Sequence, residues 1–195
     1  MYPAYSGRIQ VTGGFWLLLL WFWYANGLWI LLSVLTAAAA HEAGHWAVLR
    51  LQGVQVTALR VSVFGAELHA HRGMLGYGGE LAAILAGPAV NLVSGLVLSR
   101  LGEQFWAAAG AHLVLGVFNL LPLRPLDGGN AIFTLASWAA GPEAGEWAAR
   151  GFGIWTALSA AVFLTGVMWC SGGSLWLVPP LVGMLFAGGK ELFKK

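Results

Sequence analysis

Apolar runs close to bilayer-crossing length succeed one another along this chain, with little polar sequence between them. They fall at about 15–24, 28–51, 81–98, 105–140, 149–169 and 175–187, against the roughly 20 residues a helix needs to cross hydrocarbon. The chain has 195 residues, of which 58% are hydrophobic and 9% charged, where a soluble domain carries about 25% charged residues. Burial does not absorb the difference, because a chain this short has too much surface to hide so much apolar area in one core. Lipid is the natural solvent for the excess. The 11 Trp and 10 Phe agree with this, since Trp gathers where hydrocarbon meets headgroups. The expected fold is therefore an all-α polytopic membrane protein. It is read as one membrane-embedded domain over residues 1–195, with about six transmembrane helices.

Two of the expected elements depart from plain helix. After the second run, residues 52–79 are more polar. β-Branched alternation in Val54-Gln-Val-Thr57 and Arg60-Val-Ser-Val63 predicts a short β-hairpin-like loop there. It would lie at the interface or dip into the protein, because such backbone is tolerated at membrane depth only where protein or a wet cavity satisfies it. The fourth run is broken at Leu121-Pro-Leu-Arg-Pro-Leu-Asp-Gly-Gly129, and the last is interrupted by Pro179-Pro180. The first run is short and follows Arg8, so a cleaved signal peptide is its alternative reading.

Charge gives an orientation. With about six crossings, Arg8, Arg50, Arg60, Arg72, Arg150, Lys190, Lys194 and Lys195 share one side and Arg100 takes the other. The positive-inside rule then places both termini, and the end of the second helix, in the cytoplasm of a multi-pass membrane protein. A net charge of +2 is too small to suggest nucleic acid, and the terminal lysines read as membrane-flanking anchors. Cys170 is the only cysteine, which excludes an internal disulfide and a thiolate zinc cluster.

His41-Glu42-Ala43-Gly44-His45 is an HExxH pattern on the second apolar run. Four residues turn a helix by about 400°, returning both imidazoles to one face within reach of one ion. Glu42 beside them suits a base that takes a proton from water activated by the metal. The plain alternative is a polar helix end with two structural histidines. Three ionisable groups within five residues of a membrane helix are expensive without a task. A catalytic zinc wants three protein ligands and an open position, so a third ligand has to come from elsewhere. Asp127 is the only aspartate in the chain. It lies in an apolar break where Pro122 and Pro125 end the helix and Gly128 and Gly129 let the backbone turn. It reads either as that ligand or as the N-cap of the helix that follows.

Together, HEAGH, Ala86-Gly-Pro-Ala-Val-Asn91 and Asn119-Leu-Leu-Pro-Leu-Arg-Pro-Leu-Asp-Gly-Gly129 resemble the site-2 protease family of intramembrane metalloproteases. The layout is most similar to the stage IV sporulation protein FB branch, over about residues 8–140. The resemblance implies Zn2+ held by His41, His45 and Asp127, with Glu42 as catalytic base. It implies that Asn119 holds substrate or the developing oxyanion, where the residue-level alternative is a bond to the broken helix backbone. It implies regulated intramembrane proteolysis: a membrane-tethered regulatory protein, of the pro-sigma or anti-sigma factor type, cut near the cytoplasmic face. A membrane regulator or a second copy of the chain is left open as a further partner. Asn91 is assigned a structural part where helices pack closely at Gly87. Two departures stand out. Many members of that branch carry a CBS domain, which is not expected here, and position 43 is Ala where a bulky aliphatic residue is usual.

Other polar residues have plainer readings. His69 and His71 form a loop pair that would share one face of a strand, and His112 reads as a helix-packing histidine. Arg124 is read as pairing with a headgroup or with Glu80. The strand-like loop from Val54 to Phe64 is expected to help by pairing with an extended substrate peptide. Among rivals, an aspartyl protease needs two aspartates, and a rhomboid-type serine protease needs a GxSG turn that Ser171-Gly-Gly-Ser174 does not supply. From another class, a metal transporter should show repeated halves, and none is visible. A catalytically silent metal-binding scaffold would have no use for Glu42.

Overall fold

The computed structural model describes residues 8–62, 65–70, 75–124 and 126–170, and the chain divides into two compact units, Met1–Phe118 and Asn119–Lys195. The sixth expected run at 175–187, Pro179-Pro180, Lys190, Lys194, Lys195, Arg72, His71, Phe64 and Pro125 lie outside the described residues.

The first unit opens with strand β1 (Arg8–Val11) and helix α1 (Gly13–Asn26), followed by helix α2 (Leu28–Leu51). Gly27 separates the two helices at φ +83°, and its N–H closes on the Trp23 carbonyl at 2.8 Å. That left-handed backbone is open to glycine and strained for other residues. The far end of α2 is stopped in the same way by Gly53 at φ +76°. Gln52 then reaches across to the Gly79 carbonyl at 3.1 Å, tying the end of α2 to the start of α3 (Tyr77–Leu98). Leu49, Val54 and Ala83 form the small core beneath that tie.

Between α2 and α3 the expected hairpin is present as β2 (Val56–Ser62) and β3 (Gly65–Ala70), paired antiparallel with an irregularity between Val56 and Ala58. Strand β1 was not expected. It joins β2 in parallel, Arg8 opposite Ala58 through Val11 opposite Val61, making a three-stranded sheet in the order β1-β2-β3. Four residues carry almost no pattern of their own, and their partner lies about fifty positions along the chain. The sheet also corrects the expected role of the 54–64 segment. β2 is its centre, with both edges taken, so an added peptide has to join β3 or β1 instead.

After a single 3₁₀ turn at Glu103–Phe105 comes α4 (Trp106–Asn119). Gly95 of α3 faces Ala109 and Leu113 of α4, and Gly116 of α4 faces Asn91 and Leu92 of α3. The two helices meet through glycines that leave no room for a side chain.

In the second unit a turn from Leu120 leads into α5 (Asp127–Ala140), and α6 (Pro142–Cys170) follows. The fourth run is thus broken, as its Pro-Gly punctuation predicts. Helix α6 begins at Pro142 rather than near Ala149, because proline at the first helical position is pre-set for the helix. The charged Glu143 and Glu146 therefore belong to its first turns. Small buried residues knit α5 to α6, with Gly145 set against Ser137 and the Phe133 backbone.

Among the described helices, α3 and α6 are the two long and apolar enough to cross a membrane. Helix α1 buries none of its residues and leaves Trp16, Leu17, Leu20 and Trp21 at least half exposed. Val93 and Leu96 on α3 and Val162 and Phe163 on α6 are exposed to a similar or greater degree. Soluble monomers rarely show contiguous apolar patches beyond a few hundred Å². Faces of this kind suit lipid.

Candidate metal centre

Helix α2 carries His41 and His45 one turn apart. His41 is 5% exposed and His45 partly buried. Their Nε2 atoms lie 3.0 Å apart, with the rings edge to face at 83° and centroids 4.7 Å apart. The other nitrogen of each ring is engaged from α3. His45 Nδ1 lies 2.7 Å from the Ala83 carbonyl oxygen. A carbonyl only accepts, so the ring proton sits on Nδ1 and Nε2 keeps its lone pair. His41 Nδ1 lies 3.3 Å from the amide nitrogen of Asn91. Two nitrogens on one tetrahedral zinc, each about 2.0–2.1 Å from the ion, lie about 3.3 Å apart. The 3.0 Å separation is close to that value, so the pair fits the ion.

Glycines allow this approach. A Cβ on Gly87 would sit against Nε2 and Cε1 of His45 and 2.9 Å from Cε1 of His41. A Cβ on Gly44 would lie 2.7 Å from the Ala86 carbonyl oxygen. The HEAGH glycine and the AGPAVN glycine are thus the two sides of one contact between α2 and α3. Gly87→Ala is expected to push the imidazoles off their positions and lower zinc affinity on the order of tenfold or more. Competition against a zinc-chelating dye measures this; an unchanged affinity would show that the rings can move aside at no cost.

Glu42 is partly buried on α2, directly after His41. Asp127, also partly buried, is the first residue of α5. The N-cap position belongs to Leu126, so Asp127 is not the cap that the sequence left open as its alternative. The turn before it is packed tightly on the two glycines. A Cβ on Gly128 would overlap the Leu120 carbonyl, and one on Gly129 would lie 2.6 Å from the Arg124 nitrogen. His41 and His45 in the first unit offer ring nitrogens, and Asp127 in the second offers a carboxylate oxygen. Two imidazoles and a carboxylate are a donor set that zinc takes.

Asn119 ends α4 and is partly buried at the head of the turn. His112 is buried on α4, and its Nδ1 has no hydrogen-bond partner among the described residues. His69 lies on β3 opposite Ala58. Arg124 faces Glu146 and the Phe133 ring. Its guanidinium lies 3.3 Å from both carboxylate oxygens of Glu146 and 4.3 Å above the Phe133 ring. What sequence reasoning missed is the service that α3 gives the histidines through Asn91 and the Ala83 carbonyl. Asn91 carried a weak signal as a lone amide in an apolar helix. A backbone carbonyl carries none.

No family model matches the chain. It is 34% identical over 116 residues to the "Putative zinc metalloprotease sll0528" of Synechocystis sp., covering 54% of this chain and 31% of that protein. It is 31% identical over 120 residues to a zinc metalloprotease of Methanocaldococcus jannaschii, covering 56% of this chain and 34% of that one. The chain therefore spans about a third of the length of these curated relatives. Among solved structures it matches the site-2 protease from Methanocaldococcus jannaschii with a TM-score of 0.67 at 21% identity, covering 98% of this chain and 93% of the other. At that identity the likeness is one of architecture: the chain is built on the fold of that site-2 protease.

Proposed function

We propose that this chain is an intramembrane zinc metalloprotease of the site-2 protease family. The single observation that carries the reading is the pair of imidazoles on α2, whose Nε2 atoms converge while each Nδ1 is engaged from α3. Metal-ligating histidines almost always donate their second ring N–H to an acceptor, which fixes tautomer and ring orientation, as His45 does to the Ala83 carbonyl. The zinc metalloprotease relatives and the shared site-2 protease fold support the same conclusion. So do the apolar faces of α1, α3 and α6, which suit a bilayer.

In this reading His41, His45 and Asp127 hold the ion. When bound, zinc supplies Lewis acidity, which lowers the pKa of water to about 7 and polarises a carbonyl. Glu42 takes the proton of the attacking water and passes it to the amine that leaves. Asn119, at the head of the turn that ends in Asp127, holds the substrate or the developing oxyanion. The substrate segment has to be extended first, because helical carbonyls are already hydrogen-bonded; an edge of the three-stranded sheet is suited to pair with it. We assign the substrate to membrane-tethered regulatory proteins of the pro-sigma or anti-sigma type, cut near the cytoplasmic face. The charge pattern of the sequence supports termini on that side, and the resemblance of its motifs supports the stage IV sporulation protein FB branch.

The test is removal of metal. Purified protein in liposomes, mixed with a membrane-tethered reporter, is expected to lose cleavage on chelation and regain it on adding back zinc. Cleavage that persists in metal-free protein would refute the assignment. Zinc held without cleavage of any tethered reporter would return the silent scaffold.

A further inference from the structure

Asn91 lies on α3 four residues beyond Gly87, with none of its surface exposed. Its amide nitrogen faces His41 Nδ1 at 3.3 Å, while its Oδ1 is buried with no hydrogen-bond partner among the described residues. A buried amide oxygen without a partner is an expensive arrangement. The two ends of an amide have nearly the same shape, so one pocket takes either orientation, and the bonding decides between them. A half-turn of the amide places Oδ1 where it can accept from His41.

The two orientations demand opposite tautomers of that ring. With the amide nitrogen facing it, Nδ1 has to accept, so the ring proton sits on Nε2. That proton then lies in the 3.0 Å gap to His45 Nε2. With the amide oxygen facing it, Nδ1 donates and Nε2 keeps a lone pair. His45 is already fixed in this second way by the Ala83 carbonyl. Only when both rings carry their proton on Nδ1 do two Nε2 lone pairs face one ion.

We propose that Asn91 is a positioning residue of the metal centre, its amide turning its oxygen toward His41 Nδ1 when a cation binds and so selecting the tautomer that offers Nε2. The inference rests on the metal-centre reading of His41 and His45. It deepens that reading by assigning a residue whose sequence signal pointed to helix packing. The device needs one side chain that donates in one orientation and accepts in the other, which Asn does and an apolar residue of similar size does not.

Zinc affinity is measured by dye competition on the 195-residue chain for wild type, Asn91→Leu and Asn91→Asp. Thermal unfolding monitors the fold of each. Leu keeps the branching and the number of heavy atoms and removes the acceptor; Asp keeps an acceptor for Nδ1–H. Asn91→Leu is expected to bind zinc about 10–100-fold more weakly, the range for loss of an outer-shell partner, with Asn91→Asp within about threefold of wild type. The ¹⁵N shifts of His41, assigned by their loss in His41→Ala, are expected to show a protonated Nδ1 in zinc-loaded wild type and in Asn91→Asp. A packing role would move neither tautomer nor the difference between the two variants. Leu binding as well as wild type, or both variants weakened equally, would overturn the inference while leaving the metal centre standing. Wild type that binds no zinc would overturn the centre itself, and this inference with it.

Discussion

Glu42→Gln is expected to keep zinc at the wild-type level and to remove cleavage of a membrane-tethered reporter. Gln has the size and shape of Glu but cannot hold a proton at neutral pH, so the substitution separates proton transfer from packing. A positioned general base contributes about 10²–10⁴-fold, which is about 2.7–5.4 kcal/mol of activation free energy at 1.36 kcal/mol per tenfold. Zinc should stay, because the proposed ligand set does not include Glu42. Its helix position, one residue after His41, sets it about 100° around α2 from that ring. Stability should change little, since the residue is only partly buried and the substitution removes no volume. Two measurements check this: metal content of the purified variant, and reporter cleavage in the same preparation. Full cleavage by Glu42→Gln would remove Glu42 from the chemistry. Loss of zinc would make it a ligand instead.

The parts of this site that sequence reveals are those written within one element. Helix α2 begins at Leu28 and ends at Leu51, as its apolar run predicts, because Gly27 and the Gln52-Gly53 pair mark its two ends. The HEAGH spacing fixes the facing of the imidazoles by helix geometry alone. The break before Asp127 is equally local, since prolines and glycines limit the backbone wherever they stand. What escaped notice depends on partners far along the chain. Strand β1 exists because residues 58–61 lie beside it. Charge alone matched the Arg124 guanidinium to Glu80 or a headgroup, and in the structure it lies against Glu146 and the Phe133 ring. Charge complementarity says that a partner exists without saying which. Asn91 shows the same limit more sharply. Its place in AGPAVN marked close helix packing, and the His41 contact appears only once α2 and α3 are laid together.

Asp127→Ala is expected to weaken zinc binding by more than about a hundredfold, beyond the 10–100-fold range for loss of an outer-shell partner. A catalytic zinc with three protein ligands has no reserve, and this chain contains no second aspartate. The alternative role for the residue is local, and its cost is known. An N-cap carboxylate replaced by Ala loses about 0.5–2 kcal/mol of stability, but Leu126 occupies that position. A carboxylate in the first turn gains roughly 0.3–1 kcal/mol from the helix dipole. Metal-free Asp127→Ala should therefore differ from the metal-free wild type far less than the zinc-loaded proteins differ from each other. The turn itself supplies a control, because Gly128→Ala pushes a Cβ into the Leu120 carbonyl and should disturb the metal-free fold as well. Zinc affinity and thermal unfolding, each with and without metal, separate the two effects. An aspartate that changes stability in the metal-free protein but not affinity for the ion is a helix residue. The third ligand would then have to be sought among the remaining carboxylates of the chain.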